Sequence, residues 1–273
     1  MGAFVKEIGP GVGTAETVFF RGMIGSVIGL LLHLALRRPL RTGSPRVMGL
    51  RILTGTLSLF CYYGSIVGLA SSGKGELATA NLLLKTAPVW VALGAGFFLG
   101  EPATGRTWIA LVVGIAGATV ALVGPTGPAG HGSVVLGLMS GVFAAGAYLA
   151  VRKLAAKDEP LAVVTLFSMG VAVLMAPIVA YRFVQNPVWP TPRVFALMTG
   201  VALCGTFAQW LMTHAYRHGQ AAVVAVAGLA EVGFALLASR FIFLESPSAY
   251  AFAGGGLAVL AGLVATWPRR VPA

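Results

Sequence analysis

The chain has 273 residues, 57% of them apolar and 10% charged, with a formal net charge of +11. A soluble domain needs roughly 25% charged residues to solvate its surface, so this composition excludes an ordinary soluble enzyme and turns the apolar majority toward lipid. Nucleic acid is excluded as a partner too, because the Lys and Arg residues lie in short gaps between apolar runs and not on one phosphate-binding face.

In chain order, residues 1–13 come first and lack the charged leader and apolar stretch of a cleavable signal peptide. Nine apolar runs follow, each about the 17 to 25 residues that cross a bilayer core as helix. They cover 17–36, 52–70, 77–99, 107–123, 134–151, 161–181, 194–216, 221–244 and 249–267. Helix breakers fill gaps such as 124–128 and 186–190. The runs are too long and too little alternating for barrel strands, so the expected fold is an all-α polytopic membrane protein. Cys61 and Cys204 sit inside apolar runs, and neither a disulfide nor a zinc site is expected.

The basic residues set the orientation. Arg37, Arg38, Arg41, Arg46 and Arg51 crowd the first gap. Counting spans puts Arg106, Arg152, Lys153, Lys157, Arg217, Arg269 and Arg270 on the same side, twelve of nineteen positive charges. Five lie opposite (Lys6, Lys74, Arg182, Arg193, Arg240), so the first side is expected to be cytoplasmic, with the carboxyl terminus inside and the protein in the cytoplasmic (inner) membrane.

The two halves resemble each other when residue n is laid on n+144. Gly75 then falls on Gly219, Leu93 on Leu237, Phe97 on Phe241 and Glu101 on Glu245. An odd number of spans per repeat inverts the second copy, the layout of many secondary transporters. In this register most of a first helix has no counterpart at the amino end, so the expectation is nine full spans plus a truncated first helix.

Several stretches resemble the first EamA-type domain of the drug/metabolite transporter superfamily: 16–21 (Glu-Thr-Val-Phe-Phe-Arg), Arg51 opening the next span, 86–93 with Gly100, Glu101 and Pro102, and Gly114 and Gly117 before Gly124 and Pro125. Glu231, Val232, Leu244 and Glu245 resemble parts of the second, although Val232 stands where proline is common. The resemblance implies two inverted five-helix repeats, here 1–124 and 125–273, around a central cavity. It also implies alternating-access transport of small organic metabolites, with no cofactor and no enzymatic activity. The expected partners are a small-molecule substrate and the lipid bilayer, with a coupling proton or counter-substrate and a second copy of the chain as further candidates.

Ionisable groups within spans cost roughly 2.5 to 3.5 kcal/mol on the insertion scale and point to function. Lys85, Glu231 and Arg21 are the three. The 144-residue shift lays Lys85 on Leu229, two positions from Glu231, so the pair is expected to flank the substrate cavity. Lys85 would hold an anionic group, and Glu231 a cationic group or the coupling proton; a purely structural ion pair is the plain alternative. Arg21 has a choice between the cavity and snorkelling to the span end, with Glu16 placed to pair with it. Asn81 lies one turn before Lys85. Trp90, Tyr63, Tyr148, Gln209 and His214 complete the candidate lining, although single aromatics more often pack than bind. His214 and His218 have the spacing of a metal pair but no further ligands. Glu101 and Glu245 recur in equivalent turns and read as helix caps. Gly-x-x-x-Gly pairs at 25/29, 64/68, 96/100 and 137/141 predict close helix packing. Pro88 predicts a kink beside Lys85.

A lipid-linked substrate flippase is the nearest rival, with a channel or intramembrane enzyme further off. A single aspartate, Asp158, excludes paired-aspartate metal chemistry, and no GxxxxGK[ST] loop is present to use ATP.

Overall fold

The computed structural model describes residues 13–70, 83–122, 131–185, 191–234, 237 and 249–267. These residues form helices and connections, with no strand among them. The helices are α1 (Thr14–Ala35), α2 (Pro45–Ala70), α3 (Ala87–Leu99), α4 (Gly105–Leu122), α5 (His131–Ala155), α6 (Pro160–Gln185), α7 (Pro192–His218), α8 (Ala221–Ala227) and α9 (Ala249–Thr266). Five of them, α1, α2, α5, α6 and α7, are long and apolar enough to cross a bilayer, and the others are shorter apolar helices. Leu34, Phe97, Val173 and Val184 stand outward as a lipid-facing surface would require. The chain is an all-α polytopic membrane protein.

Local chemistry sets several boundaries. Thr191 accepts from the Val194 amide at 3.4 Å and Pro192 opens α7, the donor-sparing start that proline favours. Pro88 occupies the first turn of α3, and Gly100 ends that helix at φ 68°, a left-handed geometry that glycine adopts without Cβ cost. Pro88 therefore starts a helix, where its place in the 77–99 run predicts a kink inside a longer one.

The repeat is visible in the helices. Shifting α4 by 144 residues carries Gly105 to Ala249 and Leu122 to Thr266, the bounds of α9. The three most extensive helix interfaces are α2 with α5, α4 with α9, and α1 with α6. In the last two a helix packs against its own repeat equivalent, as a pseudo-twofold axis demands. Missing side chains permit the close approach. A Cβ on Gly29 of α1 would stand 2.3 Å from Thr165 Oγ1, and one on Gly117 of α4 would stand 2.7 Å from the Gly254 carbonyl oxygen.

Span ends that the charge count put on one side do meet. Arg38 pairs with Glu159, and Asp158 accepts from Thr42 Oγ1 at 2.6 Å and from the Gly43 amide at 2.8 Å, joining the α1–α2 and α5–α6 connections. Arg106 donates to the Val264 carbonyl, joining α4 to α9. This side is called the basic face below. At the far face Glu16 pairs with Arg182 at 2.9 Å, not with Arg21 as its position suggested, because the start of α1 lies beside the end of α6.

Candidate functional site

Two helices are interrupted at equivalent places. Lys85 and Thr86 form a turn ahead of α3, and α8 passes into a 3-10 turn over Gly228–Ala230 before Glu231. Adding 144 to 85 and 86 gives 229 and 230, so the two breaks are repeat mates. The uninterrupted runs expected over 77–99 and 221–244 are thus broken helices in the described residues, and each break carries an ionisable side chain. A broken span frees backbone polar groups, which a membrane tolerates where they line a cavity or are covered by protein.

Across these breaks Lys85 Nζ donates to Glu231 Oε2. The lysine side chain is 13% exposed and the glutamate 71%, so the pair is sheltered on the Lys85 side and open on the Glu231 side. At about 1.5 Å of rise per residue, Glu231 lies about 15 Å from the basic-face end of its helix and Lys85 about 21 Å from the end of α3. Both are near mid-depth.

Glycines of α5 seat the first break. A Cβ on Gly141 would stand 2.3 Å from Thr86 Oγ1 and 3.2 Å from the Leu83 carbonyl oxygen. The turn is held by Thr86 Oγ1 donating to that carbonyl at 2.8 Å.

A second polar group is buried on α2 and α7. Arg51, 2% exposed, donates from Nη2 to Gln209 Oε1 at 2.6 Å, and its guanidinium carbon sits 3.8 Å from the centre of the Phe167 ring. Its position in the sequence puts Arg51 at the edge of the basic loop, opening the next span, but it lies in the second turn of α2. Pro45 held the missed signal, since a proline after Ser44 opens the helix early and carries Arg51 inside. The guanidinium points along α2 to Gly55, where a Cβ would meet Arg51 Nη1 at 2.3 Å. Tyr148 lies within electrostatic reach of both Arg51 and Glu231.

Arg21 is 6% exposed and does not snorkel. Tyr63, buried in the cluster with Val18, Phe167 and Met198, lies within its electrostatic reach. Trp90, 44% exposed, and His214, in edge contact with Trp210 near the basic face at 4.7 Å, stand apart from the central group. Asn81 and Glu245 lie outside the described residues.

Below the central group, four helix ends are tied together at the basic face. Glu101 Oε1 accepts from Arg152 Nε at 3.0 Å and Nη2 at 2.7 Å, while Oε2 accepts from the Ala221 amide at 3.1 Å. Arg152 Nη1 donates to the carbonyls of Tyr216 at 2.8 Å and Arg217 at 3.3 Å. One carboxylate and one guanidinium thereby join the ends of α3, α5 and α7 to the start of α8. The Glu101 cap falls on α8 and not on its own helix. Above it Tyr148 stacks on Tyr216, ring centres 5.7 Å apart, and Tyr216 is in turn within electrostatic reach of Arg51.

Residues 1–123 and 131–267 match the EamA-like transporter family. The pseudopaline exporter of Pseudomonas aeruginosa is 33% identical over 267 residues, covering 96% of this chain and 89% of that protein. An S-adenosylmethionine uptake transporter of Rickettsia bellii is 23% identical over 270 residues, covering 97% and 88%. One crystal structure superposes with a TM-score of 0.79 at 19% identity, covering 97% of this chain and 91% of that one, a likeness of fold.

Proposed function

The chain belongs to the EamA-like transporter family and is a small-molecule transporter, and from that premise we propose that it is a secondary carrier of small organic metabolites working by alternating access. The observation that carries this reading is the Lys85–Glu231 pair, held at two repeat-related helix breaks near mid-depth. A carrier needs a site reachable from either face in turn, and groups at the repeat interface meet that need. In this reading Lys85 holds an anionic group of the substrate. Glu231, on the open side of the pair, holds a cationic group or a coupling proton. The basic face is cytoplasmic, and the Glu101–Arg152 pair serves as its gate. Similar proteins are named for export in one case and uptake in another, so identity across the family does not choose a direction.

Counterflow in proteoliposomes tests the proposal, because a carrier exchanges internal for external substrate and a channel or enzyme does not. Lys85→Ala and Glu231→Gln are expected to abolish exchange while keeping wild-type membrane abundance. Loss of folded protein in both variants would make the pair structural.

A further inference from the structure

Among the described residues the charges at mid-depth do not balance. Among the described residues Arg21, Arg51 and Lys85 are three cations within the spans, and Glu231 is a carboxylate that pairs with one of them, Lys85, leaving the two buried arginines without an acidic partner. Every other acid among the described residues is engaged at a membrane face: Glu16 by Arg182, Glu101 by Arg152, Glu159 by Arg38, and Asp158 by Thr42 and Gly43. None reaches Arg21 or Arg51, and the buried Nε atoms of both arginines have no hydrogen-bond partner. Arg51 receives a neutral amide oxygen and the face of a phenyl ring. These orient a guanidinium but do not cancel its charge. A buried, uncompensated cation in a membrane-spanning helix is expensive, and its retention implies a counter-charge that is present during part of the working cycle.

We infer that the substrate is an organic anion bearing carboxylate groups, and that Arg51, with Arg21, supplies the counter-charge that Lys85 alone cannot. The inference rests on the carrier reading and narrows its substrate class. Guanidinium suits this role, since its planar fork matches a carboxylate in two parallel hydrogen bonds. The stacked Tyr148 and Tyr216 rings lie within electrostatic reach of Arg51, and Arg152 holds the Tyr216 carbonyl, so release of the Glu101–Arg152 tie would loosen the helix end that carries Tyr216. An incoming carboxylate then replaces Gln209 Oε1 on Arg51, while Gln209 stays within reach to reclaim the guanidinium after release.

The test is thermal unfolding of the purified full chain against compounds sorted by charge. Succinate, citrate, tricarballylate and nitrilotriacetate form the anionic set, succinamide and tricarballylamide the neutral set, and putrescine and spermidine the cationic set. A ligand that binds only the folded state raises Tm, and the dependence on its concentration gives the affinity. Carboxylates are expected to raise Tm where the amides and polyamines do not. Arg51→Gln is expected to weaken the best carboxylate by about tenfold or more, the loss of one charge-assisted contact. Arg21→Gln provides a second variant should Arg51→Gln not fold, and the wild-type ranking stands without either. Stabilisation by the neutral or cationic sets, or by no carboxylate, overturns the inference. Counterflow of a neutral or cationic metabolite would also overturn it and leave the carrier reading intact. Carboxylate binding without counterflow would support the anion site and remove the carrier.

Discussion

Glu101 is a residue whose spacing in the sequence suggested a cap and whose structure gives it two duties, pairing with Arg152 and capping α8. Burial pushes its pKa up, but the Arg152 hydrogen bonds, the Ala221 amide and the Arg152 charge outweigh that and hold the carboxyl below its ordinary value. A carboxyl with a depressed folded pKa adds stability above its unfolded pKa and loses it as pH falls through the folded one. Tm should therefore fall on the acid side of the carboxylate range, and Glu101→Gln should have a lower Tm at neutral pH and a shallower acid slope. An unchanged slope would remove Glu101 from the closing contacts. Lys85 and Glu231 were legible from sequence because a charge inside an apolar run stands out. Arg51 was legible in the family resemblance but not as a buried charge, because it lies at the margin of its run, where a loop residue and a helix residue carry the same letter.

At the scale of elements, sequence predicted the spans but not their interruptions. The run over 221–244 has nothing to break it except Gly228 and Gly233, and glycine also serves close packing, so the 3-10 turn at Gly228–Ala230 left no distinctive mark. Pro88 did leave one, but proline fits both a kink and a first turn, and only the structure separates them. The break at Lys85 depends on α5, and that dependence can be measured. Gly141→Val drives a side chain into Thr86 Oγ1 and the Leu83 carbonyl, an overpacking that costs about 1–3 kcal/mol. The expected result is a Tm lower by a few degrees with counterflow reduced further than abundance. Wild-type counterflow would mean that the turn relaxes freely.

For the whole molecule, the distribution of basic residues was the readable signal. Removing Arg51 from the loop tally leaves eleven charges against five, and the sidedness is unchanged. Thiol labelling in intact cells checks it, in a background with Cys61 and Cys204 replaced by Ser. An impermeant maleimide is expected to label Thr191→Cys in whole cells and Arg41→Cys only after lysis; the opposite pattern would invert the protein. The 144-residue register predicted a repeat, but not which helices would pack together, because identities between halves carry no information on contacts.

The pairing of α2 with α5, α4 with α9 and α1 with α6 bears on biogenesis, since each of these interfaces joins residues before 123 to residues after 130. The first four helices enter the bilayer with their largest contact faces unoccupied and must wait in lipid until the rest of the chain is translated. The early half is thus a client of the membrane before it is part of a folded protein. Its glycine faces, Gly29 on α1 and Gly117 on α4, stay uncovered until α6 and α9 arrive.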